Sequence, residues 1–205
     1  MLIDGPADAA WTVVLAHGAG APMDSPFMAT VAAGLGAHGI RVVRFEFPYM
    51  ARRRSDGRKA PPDRAPILLE TWRELIAGLG PASRLVIGGK SMGGRMASLV
   101  ADETGVAGLL VFGFPFHAPG KDAAGRIGHM AELKTPTLIV QGTRDALGSR
   151  EEVAGYALSP AITLRWIEDG DHSLKPRKAS GLGYDDAMAQ AIQAAADFVL
   201  ALPGR

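Results

Sequence analysis

The chain has 205 residues, of which 47% are apolar, and its 22 basic and 21 acidic residues leave a formal net charge of +1. This length and composition predict a folded single domain over residues 1–205, and the balanced charge favours neither nucleic acid nor a membrane surface as a partner. The absence of cysteine excludes disulfides, thiolate metal sites and cysteine nucleophiles. Residues 1–5 lack the basic-then-apolar order of a signal peptide, so we expect a cytoplasmic protein.

Apolar runs and amphipathic segments alternate along the chain. The runs are nearly continuous in Val, Ile and Leu, as is typical of strands that are buried on both faces of a parallel sheet. The predicted strands are 12–16, 41–47, 84–88, 106–112, 137–141 and 162–167. The predicted helices are 26–38, 66–79, 92–104, one that begins at the capping box of Ser149 and Glu152, and 185–200.

This alternation predicts an α/β fold of about six mostly parallel strands, with helices on both faces. Ligands of such folds bind at the carboxyl ends of the strands. Residues 48–64, which are locally basic, and residues 113–135 fit neither pattern. Both segments follow strands, so we expect them at the ligand-binding edge of the sheet.

A glycine-rich motif, Gly-Lys-Ser-Met-Gly-Gly, occupies residues 89–94. It follows an apolar run and precedes a helical pattern, which is the context of a G-x-S-x-G nucleophile elbow. Gly89 and Gly93 leave room for a sharp strand-to-helix turn that exposes the hydroxyl of Ser91. The overlapping phosphate-loop motif, G-x-x-x-x-G-K-[ST], requires glycine at the position of Arg84 and is therefore disfavoured.

Two further side chains follow strands in the order of an α/β-hydrolase triad, Ser, then acid, then His. Asp145 lies just beyond the fifth predicted strand, and His172 lies just beyond the sixth. We interpret Ser91 as a nucleophile, His172 as its base and Asp145 as the acid that orients the base. Taken singly, Asp145 can also be a turn cap and His172 a surface histidine. Asp169 and Asp171 are alternative acids on the loop of His172.

An oxyanion hole for this triad requires two backbone N–H groups. One belongs to Met92, the residue after the nucleophile. The other lies in the loop His17-Gly18-Ala19-Gly20, and we assign it to Ala19, with Gly20 as the alternative and as a substrate contact. We expect His17 to brace this loop by hydrogen bonding, because His172 already supplies the base.

Basic and aromatic side chains predict the surroundings of the substrate. The basic ones form either an entrance for an anionic substrate or solvated loops: Lys90, His117, Arg52, Arg53, Arg54 and Lys121. The aromatic and neighbouring ones form either pocket walls or core: Tyr49, Phe47, Pro48, Phe114 and Phe116. His117 and His129 lack metal-ligand spacing, and we expect no metal and no other cofactor.

Five segments of the chain resemble the small bacterial α/β-hydrolases related to dienelactone hydrolases: residues 16–25, 47–50, 88–95, 115–121 and 141–145. More narrowly, they resemble the group that includes testis-expressed protein 30 and the hydrolase-like domain of the third subunit of the NSL chromatin complex. The resemblance implies an α/β-hydrolase fold without a large cap domain and supports the triad of Ser91, Asp145 and His172. Dienelactone hydrolases proper have cysteine where this chain has Ser91, which argues against dienelactone as the substrate.

The sequence therefore predicts a hydrolase of the carboxylesterase or thioesterase type. It would cleave a small ester or thioester through an acyl-enzyme on Ser91, as a monomer or small homo-oligomer. Two alternatives stay open. One is a binding or scaffold protein on a hydrolase fold, which stays open because some relatives in the resembling group are subunits of complexes. The other is perhydrolase or haloperoxidase-like chemistry with the same triad.

Overall fold

The computed structural model describes residues 1–118, 120 and 123–203. Within them, seven strands form one sheet in the order β1-β3-β2-β4-β5-β6-β7. Strand β1 is antiparallel to β3, and all other neighbours are parallel. The strands are β1 (Leu2–Asp4), β2 (Thr12–Ala16), β3 (Arg41–Phe45), β4 (Leu85–Lys90), β5 (Gly108–Phe112), β6 (Thr137–Gly142) and β7 (Ile162–Ile167).

Helices cover both faces of this sheet. They are α1 (Pro26–Ala37), α2 (Pro48–Asp56), α3 (Ala65–Leu79), α4 (Met92–Ser98), α5 (Ala101–Thr104), α6 (Ala124–Ile127), α7 (Arg150–Val153) and α8 (Tyr184–Leu200). Short 3₁₀ helices lie at Ala82–Arg84, Gly128–Ala131 and Lys178–Ser180. Among the helices of the described ranges, none combines the length and apolarity needed to cross a membrane.

Two apolar cores fill the space between the sheet and its helices. Ile87 of β4 points into the core with α3 and α4, whereas its neighbour Val86 points into the core with α1 and α8. This alternation is the two-residue period of a strand, and it explains why the predicted strands are apolar at almost every position. The α/β prediction is therefore confirmed, and no connection within the described residues is long enough for a large cap domain.

The structure differs from the predicted elements in several places. Strand β1 is absent from the prediction because it has only three residues, two of them exposed. The helix predicted over 92–104 is two helices, because i→i−3 hydrogen bonds from the N–H groups of Leu99 and Val100 tighten the chain after α4. Residues 113–135 contain α6 and a 3₁₀ helix.

The prediction that 48–64 forms no element is wrong for its first half, which is α2. Only its first turn is buried, at Tyr49 and Met50, so the helix carries little apolar periodicity. Long-range ion pairs fix the remainder, from Arg52 to Asp63 and from Arg54 to both Asp24 and Glu46. A local sequence pattern does not record such contacts.

Candidate active site

The motif at 89–94 forms a strained turn between β4 and α4. Ser91 has φ 51° and ψ −117°, a conformation that side chains disfavour and that costs roughly 1–3 kcal/mol. The glycines near Ser91 are required because no side chain fits at their positions. A Cβ on Gly89 would lie 2.0 Å from the carbonyl oxygen of Ala16. A Cβ on Gly93 would lie 2.6 Å from the carbonyl oxygen of His17. The turn thus presses against the end of β2 and leaves Ser91 partly exposed.

The structure brings Ser91, His172 and Asp145 into one chain of hydrogen bonds. Nε2 of His172 lies 2.9 Å from Oγ of Ser91, and Nδ1 lies 2.8 Å from Oδ2 of Asp145. An ionised carboxylate only accepts hydrogen bonds, so the proton of the neutral imidazole lies on Nδ1. Nε2 is then free to accept the proton of the Ser91 hydroxyl.

Asp145 is fully buried, and its carboxylate is held at both oxygens. Oδ1 accepts the backbone N–H of Leu147 at 2.8 Å, and Oδ2 accepts the side-chain amide of Gln141 at 2.8 Å. Gln141 is also fully buried, and its Oε1 accepts the N–H of Phe114 at 2.7 Å. Sequence reasoning gives Gln141 no role, although a polar residue at the end of an apolar strand is a signal for one.

The alternative acids are engaged elsewhere. Asp169 forms ion pairs with Arg177 and with Arg144, and the hydrogen bond from Arg177 is the main cause that lowers its pKa to about 2. Asp171 accepts two backbone N–H groups of its own loop, at 2.7 and 3.0 Å. The carboxylate that faces the imidazole is therefore that of Asp145.

The loop after β2 lies beside the turn of Ser91, with Ala19 and Gly20 exposed. A Cβ on Gly18 would lie 3.8 Å from Cβ of Ser91. The fully buried His17 supports the loop from below: its Nδ1 lies 2.7 Å from the carbonyl oxygen of Gly18, and its Nε2 accepts the N–H of Phe47. Burial lowers the pKa of His17, so the ring stays neutral and keeps both bonds.

Tyr49 supports the same loop. Its side chain is fully buried, and its hydroxyl donates to the carbonyl oxygen of Ala19 at 2.9 Å. Burial raises the pKa of Tyr49 to about 12, so the hydroxyl remains a donor. The structure therefore places Tyr49 in the core, behind the loop. Phe47, Phe114 and Phe116 are also fully buried and belong to the core.

Lys90, the residue before Ser91, turns toward the interior of the site. Its Nζ donates to the carbonyl oxygen of His172 at 2.5 Å and lies 5.6 Å from the centre of the Phe27 ring. Burial lowers the pKa of Lys90 to about 8, while the charges of Asp145 and Asp171 oppose this shift. Lys90, which is among the residues predicted to form an entrance for anionic substrates, therefore contacts the loop after β7 that carries His172.

The structure describes four of the other predicted basic residues. Arg52 and Arg54 lie in the ion pairs described above, and Arg53 lines a cavity of about 240 Å³ beside α2. Nε2 of His117 lies 3.4 Å from a carboxylate oxygen of Glu152, at the start of α7. Lys121 lies outside the described residues.

Solved structures of hydrolases share this fold. Dienelactone hydrolase from Anabaena variabilis matches with a TM-score of 0.72 and 21% identity, over 98% of this chain and 90% of that one. A serine hydrolase without a lid from Xanthomonas campestris matches with a TM-score of 0.69 and 20% identity, over 99% and 89%. Est1E from Butyrivibrio proteoclasticus, with bound ferulic acid, matches with a TM-score of 0.72 and 16% identity, over 97% and 93%. At these identities the similarity shows the fold alone.

A protein-family model described as an alpha/beta hydrolase domain matches residues 9–200, which is nearly the whole chain. The matched range contains every strand except β1, together with the strained turn and both loops that meet it. The chain belongs to this alpha/beta hydrolase family.

Proposed function

We propose that this protein is a serine hydrolase that cleaves a small ester or thioester through an acyl-enzyme on Ser91. The observation that carries the proposal is the unbroken chain from the Ser91 hydroxyl through His172 to the buried Asp145, with distances of 2.9 and 2.8 Å. A serine at its free pKa is a poor nucleophile, and an adjacent oriented base is what activates it.

The first half of the reaction forms the acyl-enzyme. Nε2 of His172 takes the hydroxyl proton while Oγ of Ser91 attacks the carbonyl carbon of the substrate. The oxyanion that forms is stabilised by the N–H groups of Met92 and Ala19, and one such donor contributes about 3 kcal/mol. Asp145 stabilises the imidazolium, which then donates its proton to the leaving oxygen or sulfur as that bond breaks.

The second half releases the acid. A water molecule gives a proton to Nε2 of His172 and attacks the acyl carbon, and the proton returns to Oγ of Ser91 as the ester bond breaks. Met92 suits the role of donor because it is the first residue of α4, where helical N–H groups lack partners in their own helix. Ala19 suits it because its loop is exposed beside Ser91 while His17 and Tyr49 fix it from behind.

The narrower features of the proposal stay predictions. They include the relationship to testis-expressed protein 30, a location in the cytoplasm, and a monomeric or small homo-oligomeric state without nucleic acid or membrane as a partner. A scaffold role on the same fold does not need the hydrogen-bond chain at Ser91. Perhydrolase chemistry uses that chain, and a peroxide-dependent assay with acetate distinguishes it from ester hydrolysis.

Labelling with a fluorophosphonate tests the proposal. We expect one label on Ser91, and we expect Ser91→Ala to lose both the label and the hydrolysis of short-chain p-nitrophenyl esters. Ser98→Ala is the matched control, because Ser98 also lies against a histidine, with Oγ 2.8 Å from Nε2 of His129. Labelling that survives in Ser91→Ala, or ester hydrolysis that does, contradicts the proposal.

A further inference from the structure

We propose that Lys90 is a positioning residue, whose ammonium group fixes the backbone of His172 against the strained turn that carries Ser91. The inference rests on the proposed function, since it concerns how the base meets the nucleophile. The side chain of Lys90 extends toward the loop after β7, where its Nζ reaches the carbonyl oxygen of His172.

Lys90 connects the three segments that meet at the site. Its backbone leads directly into Ser91, and its Nζ donates to the carbonyl oxygen of His172 at 2.5 Å. Its stem passes beside the loop after β2, since a Cβ on Gly18 would lie 3.6 Å from Cγ of Lys90. One side chain thus relates the turn of the nucleophile, the loop of the proposed oxyanion donor and the loop of the base.

Gly113 provides the space for this contact. It follows β5 with φ +64°, and a Cβ there would lie 2.7 Å from Nζ of Lys90 and 2.7 Å from the carbonyl oxygen of His172. The same Cβ would lie 3.3 Å from Nδ1 of His172. A side chain at position 113 would therefore displace the ammonium, the histidine or both, and glycine at this position keeps them together.

The charge of Lys90 depends on its surroundings. The charged groups that act on it are Asp145 from the loop after β6 and Asp171 from the loop after β7; His172, whose carbonyl oxygen accepts from Nζ, lies in the same loop as Asp171. The burial of Lys90 outweighs the two acids and leaves its pKa at about 8. Above that pH the neutral amine is a weaker donor, because hydrogen bonds from charged groups are the stronger ones.

The test measures hydrolysis from pH 6 to pH 10. We expect kcat of the unaltered enzyme to fall as the pH passes about 8, toward the kcat of Lys90→Met. Lys90→Met should have kcat lowered about tenfold at pH 7, with KM nearly unchanged and no such fall at alkaline pH. Lys90→Arg, which keeps its charge, should recover part of kcat and move the fall to higher pH. Lys134→Met, at an exposed lysine before β6, is the control and should match the unaltered enzyme.

A comparison of substrates separates this role from anion binding. Lys90→Met should lower kcat by the same factor for p-nitrophenyl acetate and for the negatively charged mono-p-nitrophenyl succinate. A rise in KM that affects only the charged ester would overturn the inference and restore Lys90 as a substrate contact. An unchanged kcat and pH profile in Lys90→Met would overturn it as well.

The rate at which a neutral fluorophosphonate labels Ser91 supplies a readout that needs no ester substrate. It should fall in Lys90→Met by the same factor as kcat, while circular dichroism confirms that the variant is folded. If Lys90→Met does not fold, Lys90→Arg alone provides the test. A fall in its kcat at a higher pH than in the unaltered enzyme supports the inference, and a fall at the same pH overturns it. If Ser91→Ala remains active, the proposed function fails; if Ser91→Ala is inactive and the Lys90 variants behave like the unaltered enzyme, only the present inference fails.

Discussion

The described part of the chain contains two serine–histidine pairs of almost equal geometry, and the surroundings of the two pairs differ. Oγ of Ser91 lies 2.9 Å from Nε2 of His172, and Oγ of Ser98 lies 2.8 Å from Nε2 of His129. The hydroxyl of Ser98 donates to the backbone carbonyl of Arg95 at 2.8 Å, so it has no proton left for the histidine. His129 must therefore donate to Ser98. In a pair of nucleophile and base the direction is opposite, because the serine donates and the histidine accepts.

The two pairs also differ in the exposure of the serine and in the charged group next to the histidine. Ser98 is 3% exposed in the middle of the structure, whereas Ser91 stands at a strained turn and is partly exposed. Nδ1 of His172 faces the carboxylate of Asp145, which stabilises a positive ring. Around His129, burial and the charge of Arg95 lower the pKa and oppose a positive ring. A short Ser–His distance is therefore not sufficient for catalysis. The serine must also donate its proton to the histidine, and a neighbouring acid must stabilise the protonated ring.

The largest expected difference between the pairs is in the rate. His172→Gln should lower kcat for p-nitrophenyl acetate by about four orders of magnitude or more, because loss of the base removes activation of the nucleophile. His129→Ala should leave kcat within a factor of about three, and its effect should appear as a lower melting temperature because the buried Ser98 hydroxyl loses its donor. Equal losses of kcat in the two variants would show that the pairs do not differ as the structure indicates.

The second comparison concerns two aspartates, Asp145 in the loop after β6 and Asp169 in the loop of His172. Asp145→Asn should lower kcat by about 10⁴-fold, since an amide at this position favours the wrong tautomer of His172. Asp169→Asn should keep kcat, because Asp169 binds Arg177 and Arg144 at the far side of the loop.

Asp169 should instead affect stability, and the effect should depend on pH. The pKa of Asp169 is lowered from 3.8 to about 2, so its stabilising contribution is complete above about pH 4 and is lost as the pH falls toward 2. The melting temperatures of the unaltered protein and of Asp169→Asn should therefore differ at pH 6 and converge as the pH approaches 2. A constant difference across this range would contradict the assignment of Asp169 to the arginines.

The sequence predicts the first pair but not the second, for a physical reason. The turn at Ser91 is specified locally, because the glycines on either side are the residues that its close approach to β2 allows. The placement of Asp145 and His172 follows from the order of parallel strands, whose carboxyl ends lie at one edge of the sheet. The contact of Ser98 with His129 joins α4 to a 3₁₀ helix 31 positions later, and no periodic pattern encodes it.

The same limit applies to the surroundings of the site. The sequence places Lys90 and Tyr49 near the substrate because both adjoin strand ends, yet the direction of each side chain depends on packing. Lys90 turns inward because Gly113 leaves space beside His172, and Tyr49 is buried because its hydroxyl finds the carbonyl of Ala19. Position along a strand can thus be predicted, whereas the contacts of a long side chain there require the fold.

The smallest expected difference is in stability, and here the two serines should respond in opposite directions to one substitution. Ser91→Gly relieves a backbone at φ 51° and ψ −117°, worth roughly 1–3 kcal/mol, and loses part of that gain to the greater freedom of glycine in the unfolded chain. The free energy of unfolding should rise by about 1 kcal/mol. Ser98→Gly puts glycine in a helix and removes a buried hydroxyl, so the same quantity should fall by about 1 kcal/mol or more. Urea denaturation of both variants measures the two changes; a loss of stability in Ser91→Gly would mean that the turn at Ser91 is not strained.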